Sequence, residues 1–321
     1  MESDLLISAI LVLLFFLGKL GSCYDANISR TITVNKNGHH ADFTTVQQAI
    51  DSVPSHNSLW TRILLNHGVY SEKIVIPKDK PYIILEGDSK YLTTIEWGDA
   101  GHVRNSSTFT LLASNFVARH VYFKNTYDRL IKPTNTRKTN WAVAALIFGD
   151  KASFYQCSFL SLKDTLWDAR GRHYFYSCNI SGAIDFIWGN GQGCLITSLS
   201  DKIGTTGYIT AQGREGPNET TGFVFKNCHV SGSGTTFLGR AYRNYSRVLF
   251  VGTYMRNVIT PEGWSLWTPL QIRYARIVVD LGQTYLIEFH GKKKLSHEEV
   301  RYLTNTTSFI NQDGWLEKQP K

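Results

Sequence analysis

The sequence predicts an all-β protein folded as a parallel β-helix, with short helices capping the ends of the coil. The first indication is a repeated phrase: segment 152–159 (ASFYQCSF) is echoed by 172–180 (RHYFYSCNI) and more loosely by 223–230 (FVFKNCHV). The second is that short β-branched and aromatic runs, separated by Gly, Asn or Asp, recur along most of the chain. Such repetition is typical of a coil that stacks on itself and not of a closed sandwich.

The N-terminal residues have the pattern of a targeting segment. An apolar run over residues 5–18 is followed by the small residues of Gly21-Ser22-Cys23. This order predicts a secretory signal peptide over residues 1–23, and the run is short for a membrane span. Acidic residues Glu2 and Asp4 are unusual before such a run, so an uncleaved anchor is the alternative. Residues 24–321 are then predicted to form one β-helix domain.

Charge and cysteine content agree with secretion. The chain has a formal net charge of +8, and a basic secreted protein suits an acidic polymer or a charged matrix. Cys157 and Cys178 occupy equivalent repeat positions, so they could form a disulfide or lie inside as small buried side chains; the pairing of Cys194 and Cys228 stays open. N-glycosylation sequons begin at Asn27, Asn105, Asn179, Asn218, Asn244 and Asn305.

Strands are predicted wherever β-branched and aromatic residues cluster between turn residues. Before the repeated phrases they cover 31–34, 61–65, 73–76, 82–86, 93–97, 108–112 and 119–123. After residue 190 they cover 207–211, 221–226, 235–238, 247–253 and 277–279. The polar stretch 125–140 is predicted to be a loop near a groove.

Two segments break the strand pattern and predict helices. In 43–54 the apolar residues follow helical spacing, a threonine can cap the start, and Pro54 ends the helix. In 296–303, Ser296 and Glu299 fit the capping-box pattern. Helices at these places could cover the open ends of a coil, which otherwise expose strand edges.

The repeat also brings two acidic side chains together. Asp164 and Asp185 follow adjacent repeats of the strand phrase. In a stacked coil they would lie on neighbouring parallel strands, about 4.8 Å apart. Two carboxyl groups this close favour one protonated and one ionised form, which is the pairing that acid/base and nucleophilic chemistry needs.

Nine short motifs then follow one another along the chain. They are DFTTVQ (42–47), GVYSE (68–72), GDK (149–151), DTL (164–166), DFIWGN (185–190), TAQGR (210–214), LGR (238–240), PEGW (261–264) and GWL (314–316). Together they resemble the pectinesterase (pectin methylesterase) family of plant cell walls, in its short type without an N-terminal inhibitor-like domain. The resemblance implies a right-handed parallel β-helix and a secreted, extracellular protein of the cell wall.

The same resemblance implies hydrolysis of the methyl esters of homogalacturonan (pectin), which gives de-esterified pectin and methanol. Asp185 matches the nucleophile, and Asp164 matches the general acid that later acts as base. Arg240 matches the arginine that orients the nucleophile and binds substrate. Tyr242 stands where the family usually has a tryptophan that stacks on sugar rings. Neither a metal nor an organic cofactor is implied.

Two positions depart from the family pattern. Lys163 and Trp141 stand where the family usually has glutamines that are taken to stabilise the oxyanion. Removing one such donor typically costs about 10²–10³ in rate. Lys163 could supply a cationic donor and Trp141 an indole N–H, but a cation beside Asp164 would also favour the ionised form of that acid.

Three functions therefore remain open. The first is a working pectinesterase, with activity that the two replacements could reduce. The second is a catalytically weak or inactive homologue that still binds pectin. The third is a galacturonan hydrolase or lyase on the same fold, which the pairing of Arg240 with Asp185 disfavours. The expected partners are pectin and a proteinaceous pectinesterase inhibitor. Neither a nucleic acid nor, after signal cleavage, a membrane is expected, and a monomer is predicted.

Overall fold

The computed structural model describes residues 28–90, 92–127, 140–189, 195–267, 276–280 and 295–320. The predicted signal peptide, the Asn27 sequon, Asn190, Cys194 and most of the predicted loop lie outside these residues. All strand pairs between named strands of the described residues are parallel. The predicted all-β parallel β-helix is therefore confirmed. No helix in the described ranges is long and apolar enough to cross a membrane.

A typical turn of the coil contributes one strand to each of three sheets, called A, B and C here. Sheet A contains β1 (Ile28–Val34), β2 (Trp60–Leu65), β5 (Ile83–Glu86), β8 (Phe116–Arg119), β11 (Ala152–Tyr155) and β14 (His173–Tyr176). Sheet B contains β3 (Gly68–Tyr70), β6 (Thr93–Trp97), β9 (Val121–Asn125), β12 (Ser158–Leu160), β15 (Asn179–Gly182), β17 (Leu195–Leu199), β20 (His229–Ser233) and β23 (Tyr254–Met255).

Sheet C contains Arg240 and the strands that directly follow the turns of Asp164 and Asp185. It contains β4 (Ile74–Ile76), β7 (Phe109–Leu111), β10 (Ala145–Ile147), β13 (Leu166–Asp168), β16 (Ile187–Gly189), β18 (Gly207–Gln212), β21 (Thr236–Arg240) and β24 (Trp264–Ser265). A fourth sheet, D, contains β19 (Phe223–Lys226), β22 (Arg247–Val251) and β25 (Arg276–Asp280). A short 3₁₀ helix, Ser200–Ile203, lies between β17 and β18.

The core is a stack of side chains repeated from one turn to the next. Because strands in neighbouring turns are in register, a side chain lies directly beside its equivalent in the next turn. Phe154 and Phe175, from the two predicted repeats, stack with their ring centroids 4.9 Å apart. Phe225 and Phe250 do the same in sheet D at 4.5 Å. The sequence repeat therefore reflects the stacking of equivalent side chains in successive turns.

Single residues with positive φ turn the chain at its corners. His120, Gln156 and Ser177 have φ between 51° and 55°, a region that few residues other than glycine adopt. Each corner lies between a strand of sheet A and a strand of sheet B. The sequence analysis predicted one strand over 119–123, whereas the structure has the end of β8 and the start of β9 there, because His120 turns the corner.

The N-terminal helix covers one end of the coil. Helix α1 (Val46–Asp51) begins where Thr45 accepts a hydrogen bond from the Gln48 N–H. The Glu72 carboxylate accepts hydrogen bonds from the N–H groups of Val46 and Gln47, which suits the positive end of a helix. Its buried residues join the core beside β1 and β2. This capping helix is thus present, though shorter than predicted.

The C-terminal segment packs on the side of the coil. Helix α2 (His297–Thr304) has the predicted capping box of Ser296 and Glu299, and helix α3 (Thr306–Phe309) follows it. Instead of lying across the end, the segment packs against the outward-facing residues of sheet D. This contact forms a second hydrophobic cluster that includes Val224, Leu249, Leu303, Phe309, Trp315 and Leu316. Farther on, Gln319 donates a hydrogen bond to the Lys151 carbonyl at 2.8 Å, beside sheet A.

The cysteines in the described part of the chain are buried thiols. Cys157 and Cys178 occupy equivalent positions in successive turns, as the repeat predicts, but no disulfide joins them. Their thiols interact, and burial raises the pKa of the Cys157 thiol well above its usual value. Of the two alternatives left open by the sequence, the structure therefore has small buried side chains. Cys228 is also buried and outside any disulfide.

Candidate active site

Asp164 and Asp185 lie side by side in the two turns that lead into β13 and β16. Lys163 and Ile184, the residues before them, pair in a parallel bridge, and the Asp164 N–H donates to the Ile184 carbonyl at 3.0 Å. Both aspartates have positive φ, 60° and 47°, a conformation that Asp tolerates better than most residues. The two carboxyl groups therefore occupy matching places in neighbouring turns.

Arg240 reaches the second of these carboxylates from β21. Its Nε donates to Asp185 Oδ1 at 2.9 Å and its Nη2 donates to Oδ2 at 2.5 Å. This is the bidentate fork that a guanidinium makes with a carboxylate. Asp185 is only 5% exposed, so Arg240 supplies the counter-charge that a buried carboxylate needs.

Burial and nearby charges affect the pKa values of the two carboxyl groups differently. Burial, together with the charge of Asp185, raises the pKa of Asp164 well above its usual value, although Lys163 and Arg240 act in the opposite direction. Burial also raises the pKa of Asp185, but the hydrogen bonds and charge of Arg240 oppose it. These effects favour ionisation of Asp185 before Asp164.

Lys163 and Trp141 flank the carboxylates. The Ala142 N–H donates to the Lys163 carbonyl at 3.4 Å, so Trp141 lies in the turn beside Lys163. The Lys163 ammonium is 5.5 Å from the centre of the Trp141 ring, and Trp141 is 48% exposed. The charge of Lys163 acts on both Asp164 and Asp185. The structure therefore brings Lys163 and Arg240 near the acid pair, and it places Trp141 beside Lys163.

Tyr242 joins the site through a second aromatic residue. Its ring meets the Trp267 ring edge-on at 5.0 Å, and the Arg243 guanidinium lies 4.7 Å from its centre. Trp267 in turn covers the Arg240 guanidinium at 4.2 Å, and Tyr208 covers it at 4.1 Å. The sequence analysis missed Tyr208 and Trp267.

One signal in the sequence could have found Tyr208. Ile187 of β16 pairs with Thr210 of β18. Tyr208 lies two residues before Thr210, just as Asp185 lies two residues before Ile187. Extending the repeat by one turn therefore places Tyr208 beside Asp185. Trp267 lacks such a signal, because it lies past β24 and its position depends on how that segment turns.

Comparison with known proteins places this site in a family. A family model described as Pectinesterase matches residues 31–275 of the chain. The chain belongs to the pectinesterase family. Probable pectinesterase 29 of Arabidopsis thaliana is 44% identical over 301 residues, which cover 90% of this chain and 89% of that protein. The resemblance inferred from the motifs is confirmed, and the enzyme class is that of a carboxylic ester hydrolase.

Solved structures agree with this assignment. The pectin methylesterase from carrot has a TM-score of 0.79 and 27% identity, and the match covers 89% of this chain and 95% of that one. A pectin methylesterase in complex with hexasaccharide VII has a TM-score of 0.69 and 22% identity, covering 87% of this chain and 96% of that one. The second likeness is evidence for the fold alone.

Other tryptophans of this pectinesterase chain divide between the surface and the core. Trp167 and Trp188 are in register on the outer face of sheet C and stack with ring centroids 4.2 Å apart. Trp264 is only 5% exposed and belongs to the core. The described residues contain no group of three or more His, Cys, Asp or Glu side chains that could hold a metal ion.

Proposed function

We propose that the protein hydrolyses the methyl esters of homogalacturonan, releasing methanol, with Asp185 as nucleophile and Asp164 as general acid and then base. The observation that carries this proposal is that one carboxyl group is held by an arginine fork and the other lies buried beside it without that fork. Asp185 is held by the Arg240 fork, and Asp164 lies beside it with a strongly raised pKa. An ester nucleophile and its acid partner need this difference.

The first half-reaction would use both groups once. An ionised Asp185 oxygen attacks the ester carbonyl carbon, and the carbonyl oxygen takes the negative charge. When the tetrahedral intermediate collapses, the bond to the methoxy oxygen breaks and Asp164 gives its proton to that oxygen. Methanol leaves, and the galacturonosyl carboxyl group remains joined to Asp185 as an acid anhydride. Asp164 is now ionised.

The second half-reaction would restore the starting state. Asp164, now a carboxylate, removes a proton from a water molecule as the water oxygen attacks the anhydride carbonyl. The bond to the Asp185 oxygen breaks, which releases the de-esterified carboxyl group. Asp185 returns to its ionised form beside Arg240, and Asp164 again carries a proton. No other reactant is required.

Lys163 is the group best suited to the oxyanion in this scheme. Its ammonium lies near both carboxyl groups and is partly buried. A cation in such a place stabilises a developing negative charge more strongly than it would in water. Its opposing effect on Asp164 is outweighed, because burial and the charge of Asp185 still raise the pKa of that acid.

The surroundings of the site favour an acidic polysaccharide. Lys163, Arg240 and Arg243 are cationic, while Trp141 and Tyr242 contribute aromatic rings among them. Stacking surfaces next to positive charges suit sugar rings that carry carboxylates. One structural relative, a pectin methylesterase, was solved in complex with a hexasaccharide, which is consistent with pectin as the substrate class.

The second candidate is a catalytically weak pectin-binding protein. It is favoured by one observation: neither Trp141 nor Lys163 is an amide, and the Lys163 ammonium lies over the Trp141 ring. If that contact holds the ammonium away from the carbonyl oxygen of the ester, binding persists while turnover is slow.

The deciding experiment is methanol release from highly methylated pectin by the purified protein, beside Asp185→Ala and Asp185→Asn. Release by the wild type that both variants lose would support the proposed esterase. Binding of pectin without methanol release would contradict it in favour of the binding protein. Shortened or unsaturated oligomers would instead indicate the hydrolase or lyase.

We further propose that the protein acts outside the cell, in the cell wall. The sequon residues Asn105, Asn218, Asn244 and Asn305 are exposed, whereas the Asn179 side chain accepts hydrogen bonds inside sheet B. Expression in the plant secretory pathway should therefore add glycans at exposed sequons and not at Asn179, which peptide mapping would reveal. Co-purification with a pectinesterase inhibitor would test the proposed protein partner.

A further inference from the structure

The Arg240 guanidinium lies against two aromatic rings. The centre of the Tyr208 ring lies 4.1 Å from its central carbon and that of the Trp267 ring lies 4.2 Å away, well inside the range of a cation–π contact. Its Nε and Nη2 donors are directed at Asp185, so the rings contact the cation without occupying these two donors.

We infer that Tyr208 and Trp267 are positioning residues, which hold Arg240 in the one orientation that presents two parallel N–H donors to Asp185. This inference rests on the proposed function of the site. An arginine side chain has several rotatable bonds, and ordering it costs free energy. Aromatic rings can offset part of that cost without competing for its hydrogen bonds, since a ring attracts the cation without accepting from the two N–H groups that Asp185 binds.

Tyr208 is itself held in place by the next turn of the coil. Tyr208 pairs with Phe237 in the register of β18 and β21, and their rings stack 5.4 Å apart with an interplanar angle of 15°. Neighbouring strands of sheet C follow in the order β16, β18, β21. Phe237 of β21 therefore supports Tyr208 from the side opposite the acid pair. Phe237 therefore serves as a comparison: it is an aromatic residue of the same stack whose ring contacts Tyr208.

The consequence of losing the orientation has a definite sign. The charged and titratable groups near Asp185 are Arg240 from β21, Lys163 and Asp164 from the turn before β13, and Tyr208 from β18. If Arg240 samples other orientations, Asp185 loses its strongest counter-charge and its pKa rises. The nucleophile is then protonated at a higher pH, so the acidic limb of the activity profile moves upward.

The experiment is the pH profile of kcat/KM for methanol release by the wild type, Tyr208→Leu, Tyr208→Phe and Phe237→Leu. Tyr208→Leu should move the acidic limb upward by about half to one pH unit and lower kcat/KM at acidic pH about three- to tenfold. Tyr208→Phe keeps a ring face, so its acidic limb should stay at the wild-type pH. Phe237→Leu removes only a support of Tyr208 and keeps the Tyr208 ring on Arg240, so its shift should be smaller than that of Tyr208→Leu.

Three outcomes would overturn the inference. They are an unmoved acidic limb in folded Tyr208→Leu, an equal shift in Tyr208→Phe, and an equal shift in Phe237→Leu. The second would assign the effect to the hydroxyl group, and the third would assign it to general packing. If circular dichroism shows that Tyr208→Leu is unfolded, Trp267→Leu takes its place with the same expected shift.

A readout without turnover separates this inference from the proposed function. The carboxyl carbon of Asp185 can be titrated by ¹³C NMR in aspartate-labelled protein and assigned by its loss in Asp185→Asn. A higher Asp185 pKa in Tyr208→Leu than in the wild type supports the positioning role even if neither protein releases methanol. Equal pKa values would reject that role even in an active esterase.

Discussion

At the scale of single residues, two aspartates of the same chemical type acquire different properties from their surroundings. Asp164 is 7% exposed and Asp185 is 5% exposed, so burial disfavours the charge of both. Only Asp185 receives the bidentate hydrogen bonds of Arg240, and its charge then disfavours ionisation of Asp164. The two carboxyl groups are therefore distinguished by a partner that lies 55 residues beyond Asp185 in the chain.

Lys163 affects the basic limb of the activity profile. Because its charge lowers the pKa of Asp164, Lys163→Gln should raise that pKa further and move the basic limb to higher pH. If Lys163 also stabilises the oxyanion, Lys163→Met should lower kcat about 10²–10³-fold, while Lys163→Gln keeps a donor and loses less. Kinetics across pH would measure both effects.

The exposed Lys90, which lies outside the site, provides the control as Lys90→Gln. A basic limb that moves to lower pH in Lys163→Gln would contradict the prediction. Trp141→Gln, combined with Lys163→Gln, would restore the family's two amides and test whether the replacements reduce activity.

At the scale of elements, the corners of the coil determine where the side chains of the proposed acid pair point. Both aspartates have positive φ immediately before a strand of sheet C, and such backbone costs about 1–3 kcal/mol per residue. The hydroxyl of Thr165 links the two turns by donating to the carbonyls of Ser161 and Ser181, at 3.2 and 3.1 Å. Thr165 and the small residues Ser161 and Ser181 therefore help to hold the two turns that carry the acid pair.

Gly182 is the most sensitive of these supports. A Cβ at Gly182 would lie 2.2 Å from the Phe186 Cβ and 2.7 Å from the Thr165 Oγ1, so Gly182→Ala must displace the turns that carry Asp164 and Asp185. We expect kcat/KM to fall about 10- to 100-fold, since misplacement on the scale of 1 Å has effects of this size. Steady-state kinetics on the folded variant would measure the fall.

Gly216→Ala serves as the control for this prediction. Its added Cβ would meet nothing closer than the Glu219 Oε1, at 3.8 Å, which is an ordinary van der Waals distance. Equal activities of the two glycine variants would show that the turns tolerate displacement.

A buried ion pair joins β13 to β14. The His173 Nδ1 hydrogen-bonds to the Asp168 carboxylate, and the Nε2 donates to the Gly149 carbonyl at 2.7 Å. Both ring nitrogens donate only in the imidazolium form. Burial alone would lower the pKa of His173, but the charge and hydrogen bond of Asp168 and the Gly149 carbonyl raise it above its usual value.

The contribution of His173 to stability should therefore depend on pH. Because its folded-state pKa is raised, this contribution is complete below about pH 6.5 and is lost as the pH rises through the folded-state pKa. At pH 6, His173→Ala leaves the Asp168 carboxylate buried and unpaired, at a cost of about 3–5 kcal/mol. Urea denaturation at pH 6 and pH 9 would compare the proteins; a stability difference that grows with pH would contradict the prediction.

At the scale of the whole molecule, the site and the C-terminal segment use different faces of the coil. The acid pair lies at the entry to sheet C, whereas residues 295–320 cover sheet D and part of sheet A. Asp313 adds salt bridges to Lys151 and Arg172, each 2.9 Å long. The C-terminal segment should therefore contribute to stability without taking part in the reaction.

Trp315 tests this separation. It is 3% exposed, it packs in the cluster against sheet D, and its indole N–H donates to the Ile310 carbonyl at 2.6 Å. Trp315→Ala should lower the free energy of unfolding by about 3–5 kcal/mol and leave kcat/KM per folded molecule unchanged. Leu59→Ala is the control, since Leu59 is 60% exposed and such changes stay within about 0.5 kcal/mol. A loss of kcat/KM in folded Trp315→Ala would couple the segment to the site.

Most of the fold could be predicted because a parallel coil repeats its side chains along the chain. Stacking Phe154 on Phe175 needs the same residue at the same repeat position, and the capping box of Ser296 is local. The corner at His120 was missed because positive φ leaves no apolar pattern. The side-on packing of the C-terminal helix was missed because its partners, Val224 and Leu249, are distant in sequence.

By itself the sequence determined the parallel coil, the family and the two aspartates one repeat apart, since all of these are expressed in the order and spacing of residues. Only the tertiary structure decided which aspartate receives the Arg240 hydrogen bonds, where the Lys163 ammonium lies and what surrounds Arg240. The physical reason is that a pKa depends on burial and on charges within a few ångströms. Here those charges and rings come from Arg240, Tyr208 and Trp267, which folding brings to Asp185 from later turns of the coil.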